Sequence, residues 1–295
     1  PVDKWITLSE LQEHLQSLPE QPNAIPYITS YYKERWGFCI SHDERLKLKD
    51  GKYHVFIDST LKKGSLTYGE YIIKGETEQE VFLSTYICHP SMANNELSGP
   101  VVAAFIGKWL ASQPRRYTYR IVFIPETIGS ITYLSKNLPS LKEKVIGGYN
   151  LSCIGDNRSH SCMLSKYENS PSDQALLAVY KIKKINYKKY SFLERGSDER
   201  QYNSPGVDLP ITSIFRTKYG KFKEYHTSLD DFKVVTKEGI KGGFDVAKKA
   251  IEILQKKIIP QSVLLCEPML SKRKLYQNFT IPGEQYDSRK FLNFL

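Results

Sequence analysis

The chain has 295 residues, 40% hydrophobic, 25% charged and 12% aromatic, with a net charge of +10. This composition excludes disorder, collagen and coiled coil, and it supplies enough apolar residues for a sizeable core. The longest apolar runs, Val81–Cys88 and Ile258–Cys266, fall short of the roughly 20 residues that a membrane span needs, so no membrane partner is expected.

The chain opens PVDKWITLSE without a basic or apolar leader and reads as an internal fragment. Thr7 to Leu18, starting T-L-S-E, has helical spacing behind a capping-type start, and a Pro-containing stretch follows it. Residues 1–30 are therefore expected to form an N-terminal helical segment of the core. Trp36–His42, Lys52–Leu61 and Gly64–Gly75 alternate apolar and polar residues between KDG and KKG turns. They predict a small inserted antiparallel β subdomain over 31–76.

From residue 77 the pattern becomes strand, helix, strand, helix. EVFLSTYIC, YRIVFIPE, GGYNLSCIG and DLPITSIFRT read as buried strands, and the segments between them have helical periodicity. A long amphipathic helix, Thr236 to Lys257, closes the regular region. The fold class is α/β with a mixed, mostly parallel sheet, the core spans 77–260, and 261–295 forms a C-terminal extension that reads as cut short.

Five cysteines at irregular spacing, without C-x-x-C, argue against a disulfide framework and for a reducing, cytoplasmic setting. The densest basic stretch, Lys181–Tyr190, reads as the solvated end of a helix, so no nucleic acid partner is expected. Homo-oligomerisation is left open.

Ligands of open α/β sheets bind beyond the carboxyl ends of the strands. His89, Glu126, Asp156 and His226 each follow a different strand. Two imidazoles and two carboxylates so placed match a hydrolytic zinc site, in which the ion activates water and a carboxylate takes its proton. Each residue alone also has a structural reading: a hydrogen-bonded histidine, a helix-terminal Glu126, an Asx-turn Asp156. The small-residue segments S-G-P and I-G-S let helices begin close to the strand ends.

ICHPSMANNELSGP (Ile87–Pro100), FIPETIGS (Phe123–Ser130), SCIGD (Ser152–Asp156), GSDERQYNSPGVDLP (Gly196–Pro210) and EYHTSLDD (Glu224–Asp231) occur in that order. With them the chain resembles bacterial aminopeptidase-like proteins related to the zinc aminopeptidase and glutamate-carboxypeptidase exopeptidases, in the subfamily often encoded near surface-polysaccharide genes. The resemblance implies a three-layer αβα fold and two zinc ions bridged by an aspartate, with a glutamate as base. It places His89, Asp156 and His226 as ligands and Glu126 as base; a second register puts Ser152 at the family's aspartate instead of Asp156. It also places Asn95 where the family has its bridging Asp, and Thr127 where it has a ligand Glu, so one zinc is expected rather than two. Glu96 is an open substitute for the lost carboxylate.

The resemblance puts G-S-D-E-R-Q-Y beside the substrate pocket. Asp198 and Glu199 could meet an ammonium, Arg200 an anion, and Tyr225 could lend a hydroxyl; mutual pairing in an ordinary charged loop is the alternative. The expected function is zinc-dependent amide hydrolysis of aminopeptidase type on a small peptide or an N-acylated small molecule. The alternatives are an N-acyl amidase acting on a sugar precursor, a degenerate fold serving as a scaffold, and a carbohydrate- or nucleic-acid-binding protein.

Overall fold

The computed structural model describes residues 1–30, 32–89, 91–256, 269 and 272. Contacts divide the chain into a unit Pro1–Gln255 and a second unit Lys256–Leu295. The expected extension over 261–295 lies outside the described residues apart from Met269 and Lys272.

Strand β1 (Val2–Thr7) leads into helix α1 (Leu8–Glu13). The T-L-S-E motif caps that helix: Glu10 N–H donates to Thr7 Oγ1, and the Glu10 carboxylate accepts from Thr7 N–H. The helix ends at His14 rather than Leu18, and the residues ahead of it are extended. Next come β2 (Leu15–Gln16), β3 (Phe38–Cys39), α2 (His42–Leu46), β4 (Lys52–Ile57) and β5 (Gly69–Ile73).

The pairing of these strands departs from a self-contained 31–76 subdomain. β4 runs antiparallel to β1, and β3 pairs with β2, so both find partners in residues 1–30. β5 joins the central sheet, antiparallel to a core strand. The reason is burial. Val55, the buried residue of β4, is covered by Ile6, Leu11 and Leu15 from the N-terminal segment, which supplies three of the four buried members of this cluster.

The core follows as β6 (Thr77–Tyr86), α3 (Ser98–Ala111), β7 (Tyr117–Ile124), α4 (Ile128–Lys144), β8 (Val145–Leu151), β9 (Ser161–Met163), α5 (Pro171–Ile182), β10 (Lys188–Tyr190), α6 (Glu199–Tyr202), β11 (Ile211–Phe215) and α7 (Lys237–Lys256). The seven-stranded sheet has the order β10-β9-β11-β8-β6-β7-β5. β11, β8, β6 and β7 are parallel neighbours, while β9 runs antiparallel to β11 and parallel to β10, and β5 runs antiparallel to β7. Helices α3, α5 and α7 bury one face and α4 and α6 the other, giving three αβα layers.

The chain steps from β6 to β7 on one side, then crosses back to β8 on the other side of β6. That reversal opens a crevice at the strands' carboxyl ends. Helices start almost on top of those ends because they begin with glycine. A Cβ on Gly99 would lie 2.3 Å from Thr85 Oγ1 and 2.5 Å from the Leu151 carbonyl, and one on Gly129 2.8 Å from Pro125 Cδ. Among the described residues no helix is long and apolar enough to cross a membrane.

Candidate metal centre and base

Beyond β6 the chain makes a π-helical turn, Ala93–Leu97, before α3. The turn is anchored by Asp230, whose two carboxylate oxygens accept from the Asn94 and Asn95 N–H groups at 2.7 and 2.8 Å. Within this wide turn two consecutive side chains reach the same ring: Glu96 Oε2 lies 3.0 Å from His89 Nδ1, and Asn95 Nδ2 lies 3.2 Å from it. A second Glu96 contact, from Cys88 N–H to Oε1, closes the loop. All three of His89, Asn95 and Glu96 are buried.

His226 comes from the other side of the crevice, its backbone in the left-handed region at φ 58°. Its ring centroid is 4.9 Å from that of His89 and stacks 3.9 Å from Tyr225. His226 Nε2 is buried without a hydrogen-bond partner. Burial, with the His89 charge second, lowers its pKa to about 4, so the ring is a neutral imidazole with a bare nitrogen. Tyr27, from the N-terminal segment, sets its ring edge-on to both histidines at 5.0 and 5.3 Å, held there by its N–H donating to the His226 carbonyl.

Cys88 Sγ lies 3.1 Å from His89 Nδ1. Cys88, His89 and Glu96 each offer an atom within 4.8 Å of the others. Burial pushes the Cys88 thiol up to about 12 and keeps it protonated.

Asp156 belongs to a different structure. Its Oδ1 accepts from Thr217 Oγ1 at 2.7 Å and Arg158 N–H at 2.9 Å, and its Oδ2 from Thr217 N–H at 2.8 Å and Asn94 Nδ2 at 3.2 Å. The residue is fully buried. Four protein donors thus occupy the Asp156 carboxylate, and the carboxylate in contact with His89 is Glu96. Ser152, the alternative in that register, is buried with its hydroxyl unpartnered.

Glu126 follows β7, and the residue after it carries strain. Thr127 sits at φ 63°, ψ −67°, and the Ile128 N–H donates back to the Glu126 carbonyl at 2.7 Å. This is the rare, strained form of γ-turn. It is braced from outside: Thr127 N–H and Ser130 Oγ both donate to Asp198 Oδ1 at 2.8 Å. Thr127 Oγ1 accepts from Arg200 at 2.9 Å, so it serves the rim rather than a ligand position.

Ser197 Oγ donates to Glu126 Oε1 at 2.5 Å. Burial raises the Glu126 pKa against the lowering by that hydrogen bond and by His89. Asp198 is pushed up to about 7, mainly by burial. Glu199 accepts from the Gly196 and Ser197 N–H groups and from Tyr219 OH at 2.6 Å. Asp198 Oδ2 and Glu199 Oε2 are buried and unpartnered. Asp198 and Glu199 are thus interior residues tied to the segments around Glu126, and the described residues show no ion pair among Arg195, Asp198, Glu199 and Arg200.

Sequence reasoning passed over Tyr27, Asn94, Ser197 and Asp230. Asn94, Ser197 and Asp230 lie inside the quoted motifs, where a residue's proximity to Glu126 or to the turn leaves no local pattern. Tyr27 had no signal.

A sequence profile described as Domain of unknown function (DUF4910) matches residues 7–257. A Clostridium acetobutylicum protein, provisionally named a polysaccharide biosynthesis protein with aminopeptidase-like domain, is 41% identical over 100% of this chain and 67% of its own length. A crystal structure of a provisionally assigned Clostridium acetobutylicum peptidase, also 41% identical, superposes with a TM-score of 0.85 over 92% of this chain and 64% of that one. The chain thus spans about two thirds of these relatives. The Bacillus subtilis zinc aminopeptidase is 16% identical with a TM-score of 0.53, over 65% of this chain and 50% of its own, which is a likeness of fold.

Proposed function

The chain belongs to the DUF4910 family and carries an aminopeptidase-like fold, and on that premise we propose that it is a zinc-dependent amide hydrolase. One observation carries the reading: a bare, buried His226 nitrogen beside His89, at the same strand ends as a carboxylate of raised pKa. The donor types suit the ion, and of them His89 and Glu96 already converge, with ligand atoms within 4.8 Å of each other and of Cys88. His89, Glu96 and His226 would hold it as the two-histidine, one-carboxylate set of mononuclear zinc hydrolases. When bound, such an ion polarises a water and the scissile carbonyl.

The protein's own residues supply the proton transfer. Glu126, with Oε1 fixed by Ser197, takes the water's proton and passes it to the leaving amine. Its raised proton affinity suits both steps. The Thr127 γ-turn and the Asp198 brace fix the direction of the base. Tyr27 and Tyr225 pack against the imidazoles and limit access of bulk water to them. Arg200 stands at the rim, available to a substrate anion.

The substrate is a small peptide or an N-acylated small molecule, and the relative's provisional name favours testing N-acylated sugars as well as peptides. A second reading, a scaffold with the exopeptidase fold, has Asn95 and Thr127 in its favour, since both side chains are engaged within the protein.

Elemental analysis of protein purified without chelator separates the two. Near one zinc per chain supports the hydrolase, near two means that the ligand set lacks a member, and none after zinc is added back leaves the scaffold. In the zinc-loaded protein, Glu126→Gln is expected to keep the metal while turnover falls by about 10²–10⁴-fold; full activity in that variant removes Glu126 as the base.

A further inference from the structure

Lys218, three residues past the end of β11, is only 3% exposed. Its ammonium lies 3.6 Å from the Tyr219 ring centroid and 5.4 Å from that of Tyr190. Among the described residues it has no ion pair and no side-chain hydrogen bond. The stem is sunk between aromatic faces, which return only part of the hydration the ammonium loses, while Nζ itself is not wholly enclosed. The nearest acids act only at a distance: Glu199 is held by Tyr219 and two backbone N–H groups, and Glu194 faces Lys221 at 3.8 Å.

Positive charge accumulates around it. Lys188 and Lys221 lie 4.9 and 6.0 Å from the Tyr190 ring, and Arg195 lies 4.9 Å from Phe192. Lys188 and Tyr190 belong to the basic stretch that sequence alone reads as solvated, yet Tyr190 is buried in the same aromatic cluster as Phe215 and Phe222.

This cluster adjoins the candidate centre along two routes. Tyr219 OH donates to Glu199, which accepts from Ser197 N–H, and Ser197 Oγ holds Glu126. Tyr225, packed on the cluster, stacks on His226.

We infer that Lys218 forms an anion subsite, with Lys221 and Arg195 around it, and that the substrate carries a carboxylate or phosphate beside the amide offered to Glu126. The place of the amide rests on the hydrolase reading; the anion subsite does not. A lysine serving only as counter-charge to Glu199 would not distinguish anionic from neutral ligands.

Titration calorimetry tests this on Glu126→Gln protein, zinc-loaded and chelator-treated, with two matched pairs: N-acetylglutamate against N-acetylglutamine, and N-acetylglucosamine 1-phosphate against N-acetylglucosamine. At least one anionic member is expected to bind about tenfold or more tightly than its neutral match. Which pair shows the preference distinguishes carboxylate from phosphate. Lys218→Met should bring the ratio near one, Lys218→Arg should keep it, and Lys62→Ala, at an exposed lysine between β4 and β5, should leave it unchanged. Circular dichroism checks the fold, and Lys218→Gln replaces Lys218→Met if the latter does not fold. A ratio near one for both pairs overturns the subsite, as does a preference that survives Lys218→Met or is lost only with Arg200→Ala. Absence of zinc or of turnover, with the anionic preference intact, sinks the hydrolase reading alone.

Discussion

Two carboxylates that follow the central strands meet opposite fates. Asp156, after β8, is saturated by Thr217, Arg158 and Asn94, whereas Glu96, after β6, lies against His89, which an amide also meets, and among the described residues accepts otherwise only from the Cys88 N–H. Position at a strand end therefore does not by itself leave a carboxylate available to a ligand. The deciding quantity is how many donors already claim its oxygens, and those donors come from distant segments.

The contrast can be broken by substitution. Asp156→Ala orphans four buried or half-buried donors and is expected to lose about 3 kcal/mol or more of stability, read by chemical denaturation, while zinc per folded molecule stays unchanged. A loss of zinc at unchanged stability would reverse the assignment of Asp156 and Glu96. His89→Ala, His226→Ala and Glu96→Gln are expected to do the opposite, cutting zinc occupancy from near one to near none while costing the metal-free protein roughly 1 kcal/mol or less. Unchanged occupancy in any of the three takes that residue out of the centre.

A smaller effect sharpens the base side. Burial raises Asp198 from 3.8 to about 7, so between those values the folded chain keeps a proton that the unfolded chain has released. Its contribution to stability is full below about pH 4 and is lost as the pH rises through about 7. Asp198→Asn should flatten this slope, with denaturation midpoints at pH 5 and pH 8 closer together than in the parent; an unaltered slope places the titration elsewhere. The smallest change expected is at Thr127. Relief of its backbone strain by Thr127→Gly is worth about 1–3 kcal/mol, and glycine's extra unfolded freedom offsets about 0.5–1, leaving a gain near 1 kcal/mol in denaturation.

The four parallel strands, the helices between them and the placement of His89, Glu126 and His226 after strands were legible because each rests on local periodicity and small-residue helix starts. Glu96 was legible only as an open question. Adjacent side chains normally diverge, and nothing in A-N-N-E-L announces the π-helical winding that lets Asn95 and Glu96 converge. The saturation of Asp156 depends on Thr217, 61 residues away in sequence. The pairing of β4 with β1 was hidden for a similar reason, since alternation marks a strand without naming its partner.

The Asp230 clamp has a kinetic consequence. It ties the Asn94 turn to a segment 136 residues later in the chain, four positions after His226. The proposed centre of His89, Glu96 and His226 would form only once that large loop has closed, so a chain still emerging from the ribosome would present His89 and Glu96 without their partner. A metal that binds only the closed form then acts as a latch on folding, stabilising it in proportion to the logarithm of free zinc over the dissociation constant.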